Sequence, residues 1–371
     1  MSATTVAPPP LEELLTCADF ERVGMQCVDQ LALDYITGGF PDTIARNVAE
    51  FDNFLLRPRV LQDVSKIDTT CEVLGEACKL PVYLSSVAKG KLVSRQDGEK
   101  TFVRAVKEAG STYVVPTVAS VPIAEIYQAR AKDQSLGYQF YLLNDEEFSM
   151  RQLDEAISLK ASFIAVTVDA NAPRGGAFRQ STGAVANNQF VNPRLSWSLL
   201  ADIRKKIPAE TPVYLKGVQI AEDALCAARL GYSGIIVSNH GGRSAPFQIS
   251  SLASLEEIAS ALRGAGFLAP GRSSKFEVYF DGGVRSGRDI FKALCLGARA
   301  VGIGRPYYWA SACYGQAGIV ALLNILQHEL KCCMEQAGAT TLEELGPWFL
   351  ARASNPPLPL ARLPAEVGAK L

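Results

Sequence analysis

One rhythm limits what this chain can become more than any other feature. From residue 81 onward a short run of β-branched and aromatic residues is followed by a longer stretch apolar at helical spacing, and the pair repeats. The short runs are Pro81-Val82-Tyr83-Leu84, Thr112-Tyr113-Val114-Val115, Tyr138-Gln139-Phe140-Tyr141, Phe163-Ile164-Ala165-Val166-Thr167-Val168, Pro212-Val213-Tyr214-Leu215, Gly234-Ile235-Ile236-Val237, Val278-Tyr279-Phe280 and Ala300-Val301-Gly302-Ile303. Residues 97–109, 152–160, 221–230 and 289–296 lie between them, with apolar residues three and four apart. Such a count and size match a closed (β/α)8 TIM barrel better than an open sheet. No break in composition divides the 371 residues. The expected α/β fold is therefore one domain over residues 11–371 with its barrel core at about 81–310, preceded by a flexible N-terminus at 1–10. An N-terminal helical extension, with Asp19 capping one helix and Gly38-Gly39 ending another, and C-terminal helices complete it.

A barrel of this kind carries its chemistry at the C-terminal ends of its strands. Polar residues stand there in six places: Gln139 and Tyr141, Thr167 and Asp169, Lys216, Ser238 and His240, Asp281 to Arg285, and Gly304-Arg305. The sixth run opens into Ser238-Asn239-His240-Gly241-Gly242-Arg243. His240 is one of only two histidines, and the other, His328, falls in a helical pattern. Gly241 and Gly242 allow a ligand close to the backbone, and Arg243 offers a two-pronged donor for a carboxylate beside a candidate base. After the last two strands, Gly282, Gly283, Arg285, Gly304 and Arg305 form a pattern suited to a phosphate group.

Other classes are disfavoured. A formal charge of −1 offers no basic face for nucleic acid. The first ten residues have neither the basic start nor the apolar run expected of a signal sequence, and no run of about eighteen consecutive apolar residues follows. A soluble protein made in the cytosol is expected. Nine cysteines without C-x-x-C spacing suggest reduced, mostly buried thiols rather than disulfides or a metal site. The terminal Ala369-Lys370-Leu371 is similar to a peroxisomal address, so the expected location is peroxisomal or cytoplasmic.

The runs Leu215-Lys216-Gly217-Val218 with Ala221-Glu222-Asp223-Ala224, Ser238 to Arg243, and Asp281 to Arg285 with Gly304-Arg305-Pro306 resemble the FMN-dependent α-hydroxy acid oxidase and dehydrogenase family, which includes glycolate oxidase, lactate oxidase and flavocytochrome b2. The resemblance extends from about Tyr35 to Trp309. It implies that Asp281, Gly282, Gly283, Arg285, Gly304 and Arg305 hold the phosphate and ribityl end of FMN. Gln139, Thr167 and Ser238 would bond the isoalloxazine, Ser86-Val87-Ala88 would pass near its reactive nitrogen, and Lys216 would sit at its pyrimidine edge. His240 would be the base, Asp169 its orienting partner, Tyr35 and Tyr141 ligands of the substrate carboxylate or hydroxyl, and Arg243 the carboxylate clamp. The implied reaction oxidises a 2-hydroxy acid to a 2-oxo acid by a hydride or a carbanion route, with O2 as acceptor giving H2O2, or, as a dehydrogenase, with another electron acceptor. A homotetramer is also implied.

Several positions depart from the family pattern. Ala170-Asn171-Ala172-Pro173-Arg174 to Arg179 puts arginines out of register with a second carboxylate contact, and the loop from about residue 180 to 195 is short. Ser86-Val87 replaces a Pro-Thr pair, Pro116-Thr117-Val118 replaces a serine pair and an aromatic, and Ser244-Ala245-Pro246 follows Arg243. These changes point to a substrate bulkier than glycolate. Three other readings stand beside this one: a flavin enzyme acting on a cyclic amine or biosynthetic intermediate, an isomerase of prenyl diphosphates, and a non-catalytic flavin-binding barrel. No haem-binding module is read ahead of the barrel, which disfavours a flavocytochrome arrangement.

Overall fold

A computed structural model describes residues 7–170, 192–269 and 274–354. Eight parallel strands close on themselves: β1 (Val82–Leu84), β2 (Thr112–Pro116), β3 (Gly137–Phe140), β4 (Ile164–Thr167), β5 (Val213–Val218), β6 (Gly234–Val237), β7 (Glu277–Asp281) and β8 (Val301–Ile303). Pairing of Val301 with Val82, Gly302 with Tyr83 and Ile303 with Leu84 makes the closure. Every expected strand is present. Parallel strands covered by helices are buried on both faces, so their sequences are unbroken apolar runs that stand out.

The helical extension holds α1 (Cys17–Cys27), α2 (Gln30–Thr37) and α3 (Pro41–Ala49). Asp19 is not the N-cap of α1. Thr16 is, and Asp19 lies three residues on, returning a bond to the Thr16 backbone in a capping box. The helix α2 does end at Gly38. Around the barrel run α4 (Glu99–Ala109), α5 (Ile123–Gln128), α6 (Glu146–Ser158), α7 (Trp197–Lys206), α8 (Ala221–Arg229), α9 (Ser251–Gly264) and α10 (Gly287–Leu296). After β8, α11 (Arg305–Ala337) is kinked at Gly315 and packs on α1, α4 and α10. By length and composition α11 could cross a membrane, but it serves as a core helix, burying Tyr307, Tyr308, Trp309 and Leu322. The nine cysteines are free thiols as expected, but only four of them are buried and five are half-buried, where most were expected to be buried.

Side chains on a strand alternate between its two faces. Tyr83, Val114, Ala165, Tyr214, Ile236 and Tyr279 point into the barrel, where Tyr279 meets Tyr83 and Tyr214 edge to face with ring centres 6.0 and 5.5 Å apart. A hairpin, Cys71–Val73 with Glu76–Cys78, plugs the floor, and the Leu74 amide donates to the Tyr279 hydroxyl at 2.9 Å. Two residues beyond the inward Tyr83, Ala165, Tyr214, Ile236 and Tyr279 stand Ser85, Thr167, Lys216, Ser238 and Asp281. The same alternation turns these inward one layer higher. A buried polar layer therefore rests on an aromatic one at the C-terminal end of the barrel.

Candidate active site

Two groups of polar residues occupy that end. Lys216 Nζ lies 3.0 Å from Asp281 Oδ2 and donates to Ser238 Oγ at 3.0 Å. Ser238 and Ser85 both donate to Asp281, the latter at 3.2 Å. Burial alone would push the Lys216 ammonium toward neutrality. The charges of Asp281 and Asp169 outweigh it and raise its pKa above the ordinary lysine value. The resemblance puts Asp281 at the phosphate and ribityl end of FMN, and in the structure its carboxylate is also the counter-charge of Lys216. Ser85 went unnoticed, although the two-residue period from Tyr83 leads to it. Gln139 donates to Thr167 Oγ1 at 3.0 Å and accepts from the Thr117 amide at 3.3 Å.

Above this layer stands His240. Its Nδ1 is 2.9 Å from Asp169 Oδ1 and its Nε2 is 3.1 Å from the Tyr141 hydroxyl, with the two rings nearly parallel. The Asp169 side chain is 1% exposed, and that of His240 is 20% exposed. An ionised carboxylate only accepts, so this pairing puts the imidazole proton on Nδ1 and leaves the Nε2 lone pair facing Tyr141. The resemblance makes Tyr141 a ligand of the substrate, and in the structure its hydroxyl stands beside the candidate base. His240 is held at φ 60°, a left-handed conformation uncommon outside glycine. Its amide donates to Ser238 Oγ at 3.0 Å, which ties this turn to the buried polar layer. Asp169 fits because β5 bulges at Gly217, φ 104°, where a side chain would collide with it.

The loop after β6 is anchored by a contact the sequence did not suggest. The amides of Asn47, on α3, and Asn239 exchange two bonds, both 2.8 Å, and both residues are buried. Asn239 Oδ1 also accepts from Gly242 N at 3.0 Å. Gly282 and Gly283, both at positive φ, pack against Ser251 and Asn47.

Arginines converge on one side of this loop. Arg305, the first residue of α11, donates to Ile36 O at 3.0 Å and Gly38 O at 3.2 Å, and Arg243 donates to Tyr35 O at 3.1 Å and Ile36 O at 2.8 Å. A β-carbon on Gly241 would lie 3.4 Å from Arg305 Nη1 and 3.6 Å from Arg243 Nη1. Burial, then the charges of Arg243 and Arg285, hold the Arg305 guanidinium well below its ordinary value. Arg285 pairs with Glu21 at 3.6 Å. Like charges gathered around a buried one form a site that a bound anion completes. Gly304 caps α11 beside Val87, and Tyr308 donates to Val87 O at 3.0 Å and Ala88 O at 2.7 Å, fixing the segment Ser86-Val87-Ala88. Tyr35, on α2, joins the group through Arg243. Arg174 and Arg179 lie outside the described residues.

Residues 25–176 and 174–352 match the family of FMN-dependent dehydrogenases. The chain belongs to that family. The two matched segments meet within the stretch after β4 where the sequence departs from the family pattern. The L-lactate dehydrogenase (cytochrome) of Saccharomyces cerevisiae is 32% identical over 370 residues, covering 92% of this chain, and 2-hydroxyacid oxidase 2 of Rattus norvegicus is 33% identical over 360 residues, covering 90% of this chain and 97% of that protein. The chain spans 61% of the length of the Saccharomyces relative. Among solved structures, an arginine-to-lysine variant of flavocytochrome b2 superposes with a TM-score of 0.86 at 31% identity, over 98% of this chain and 93% of that one.

The residues present fit FMN. The cluster of Arg243, Arg285 and Arg305 suits an anionic tail, while Lys216, Gln139, Thr167 and Ser238 offer donors and acceptors for a flat heterocycle.

Proposed function

We propose that this FMN-dependent dehydrogenase family member oxidises the CH–OH of a 2-hydroxy acid, bulkier than glycolate, to the 2-oxo acid, passing the electrons to O2 and releasing H2O2. The observation that carries the reading is the line Asp169–His240–Tyr141 beside Arg243. It supplies an oriented base within the same loop as a carboxylate clamp. In this reading Arg243 holds the substrate carboxylate, with Tyr35 beside it, and His240 Nε2 accepts the hydroxyl proton. Asp169 keeps the tautomer and stabilises the imidazolium that forms. Tyr141 aligns the ring, yields Nε2 to the substrate and bonds the substrate's carboxylate or hydroxyl in turn.

Asp281, Gly282, Gly283, Arg285, Gly304 and Arg305 would hold the ribityl phosphate end of FMN, in part through the packing these glycines give. Gln139, Thr167, Ser238 and the backbone at Ser86, Val87 and Ala88 would line its ring, with Lys216 at the edge that gains negative charge. Bound FMN supplies the acceptor for the two electrons leaving the α-carbon. The replacements at Pro116-Thr117-Val118 support room for a larger substrate. The ending Ala369-Lys370-Leu371 supports a peroxisomal location, with the cytoplasm as the alternative. A homotetramer is the proposed assembly by likeness to the family.

The test is anaerobic bleaching of the bound flavin by a panel of 2-hydroxy acids, followed by admission of air. Bleaching by larger hydroxy acids, then recolouring with peroxide formed, is the expected result. Glycolate used as well as the larger acids removes the bulk argument. Bleaching only by amines, or by nothing, overturns the proposed reaction. Flavin that recolours only with an artificial dye assigns a different electron acceptor.

A further inference from the structure

We propose that Lys89 is a specificity-determining residue that binds a second anionic group on the substrate, so that the favoured 2-hydroxy acids are diacids. The inference rests on the hydroxy-acid reading above and concerns a residue to which that reading gives no role.

Lys89 lies five residues beyond β1, directly after the segment Ser86-Val87-Ala88. Its backbone is left-handed, φ 64° and ψ 47°, a conformation that a lysine keeps only where its surroundings impose it. They do so on both sides. Tyr308 grips the carbonyls of Val87 and Ala88, and Gly90 N donates to the buried carboxylate of Glu99 at 2.8 Å. The turn thus fixes the backbone from which Lys89 projects, and its ammonium lies 5.2 Å from the ring centre of Tyr35.

Tyr35 is the residue whose backbone carbonyl takes one of the bonds from Arg243. Two cations are therefore gathered at one tyrosine, one at its ring and one at its carbonyl. Among the described residues, no carboxylate pairs with Lys89. Burial holds its pKa below the ordinary lysine value with no opposing charge to restore it. An aromatic face compensates a half-buried ammonium only in part. The other described cations at this end have anions in the structure or in the reading above: Lys216 has Asp281, Arg285 has Glu21 and, with Arg305, the phosphate, and Arg243 has the carboxylate at the reacting carbon. Among the described residues, Lys89 is the cation left over at this end, beside the substrate's tyrosine. A distal carboxylate on the substrate supplies what it lacks.

The test compares 2-hydroxyglutarate with 2-hydroxypentanoate, acids of equal chain length that differ in the distal carboxylate. The native holoenzyme is expected to favour the diacid in kcat/KM by roughly ten- to a hundredfold, the worth of one charge-assisted bond. Lys89→Met should erase that preference through KM for the diacid, with kcat and the monoacid little changed, and Lys89→Arg should keep most of it. Equal use of both acids by the native enzyme overturns the proposal, as does a Lys89→Met variant that weakens both acids alike. Calorimetric Kd values for 2-oxoglutarate and 2-oxopentanoate read the same preference without turnover. A holoenzyme that oxidises neither acid but binds the 2-oxo diacid through Lys89 would therefore refute the proposed reaction and leave this assignment standing.

Discussion

A methyl group added to Gly217 would sit 2.4 Å from both Cβ and Cγ of Asp169. The bulge in β5 and the carboxylate that orients His240 therefore occupy one another's space, and a residue that touches no reacting atom sets the direction of the base. Gly217→Ala should displace Asp169 and strain a backbone at φ 104°, at a cost of about 1–3 kcal/mol. Turnover is expected to fall about tenfold or more with FMN still bound, as read from kcat and the flavin absorbance. An unchanged kcat would separate Asp169 from the orientation of His240.

For the base itself, asparagine is the informative replacement because it tolerates the left-handed backbone at His240 better than alanine does. His240→Asn should retain FMN and the fold while lowering kcat by about 10²–10⁴, the usual contribution of a general base. A loss of only a few-fold would mean that another group takes the proton.

Lys216 and Asp281 are both buried, and removing one leaves the other's charge uncompensated. Lys216→Met should destabilise the protein by about 3–5 kcal/mol, and adding Asp281→Asn should recover a large part of the loss. Denaturant melts of the two single variants and the double variant measure this, and additive losses would contradict the pairing. The pH dependence has a definite sign. Because the folded pKa of Lys216 is raised, its contribution is fully present below the ordinary lysine value of 10.5 and is lost only as pH rises through the higher folded value. No loss of stability from this group is expected in melts below that pH.

Arg305→Gln should weaken FMN by roughly ten- to a hundredfold, the loss of one charge-assisted contact, while riboflavin, which lacks the phosphate, should bind nearly as before. Flavin-fluorescence titrations of the two ligands decide it. Equal weakening of both would mean that Arg305 acts by holding Ile36 and Gly38 rather than by meeting phosphate.

The barrel was legible because its strands are buried on both faces and its helices carry a regular apolar stripe. Boundaries were less so. The stretch from Gln152 hid a helix that begins at Glu146, whose N-cap Asp145 binds the Phe148 amide and was the available signal. Residues at strand ends were legible by position, and Ser85 would have been by counting two from Tyr83. Contacts between distant segments were not. Asn47 meets Asn239 across 192 residues, and Lys89 meets Tyr35 only once α2 is laid beside the end of β1. Local pattern carries no trace of such pairs. The contacts of Asp281 with Lys216 and of Tyr141 with His240 likewise depend on which side chains share a layer.

Phe54–Leu56 forms its ladder with Leu350–Arg352, near the far limit of the described chain. The segment carrying Tyr35 and Asn47 is thus buckled to residues synthesised almost three hundred positions later. A nascent polypeptide that has already emerged through all eight strands still lacks the clasp for this region, which forms only once Leu350–Arg352 has followed them.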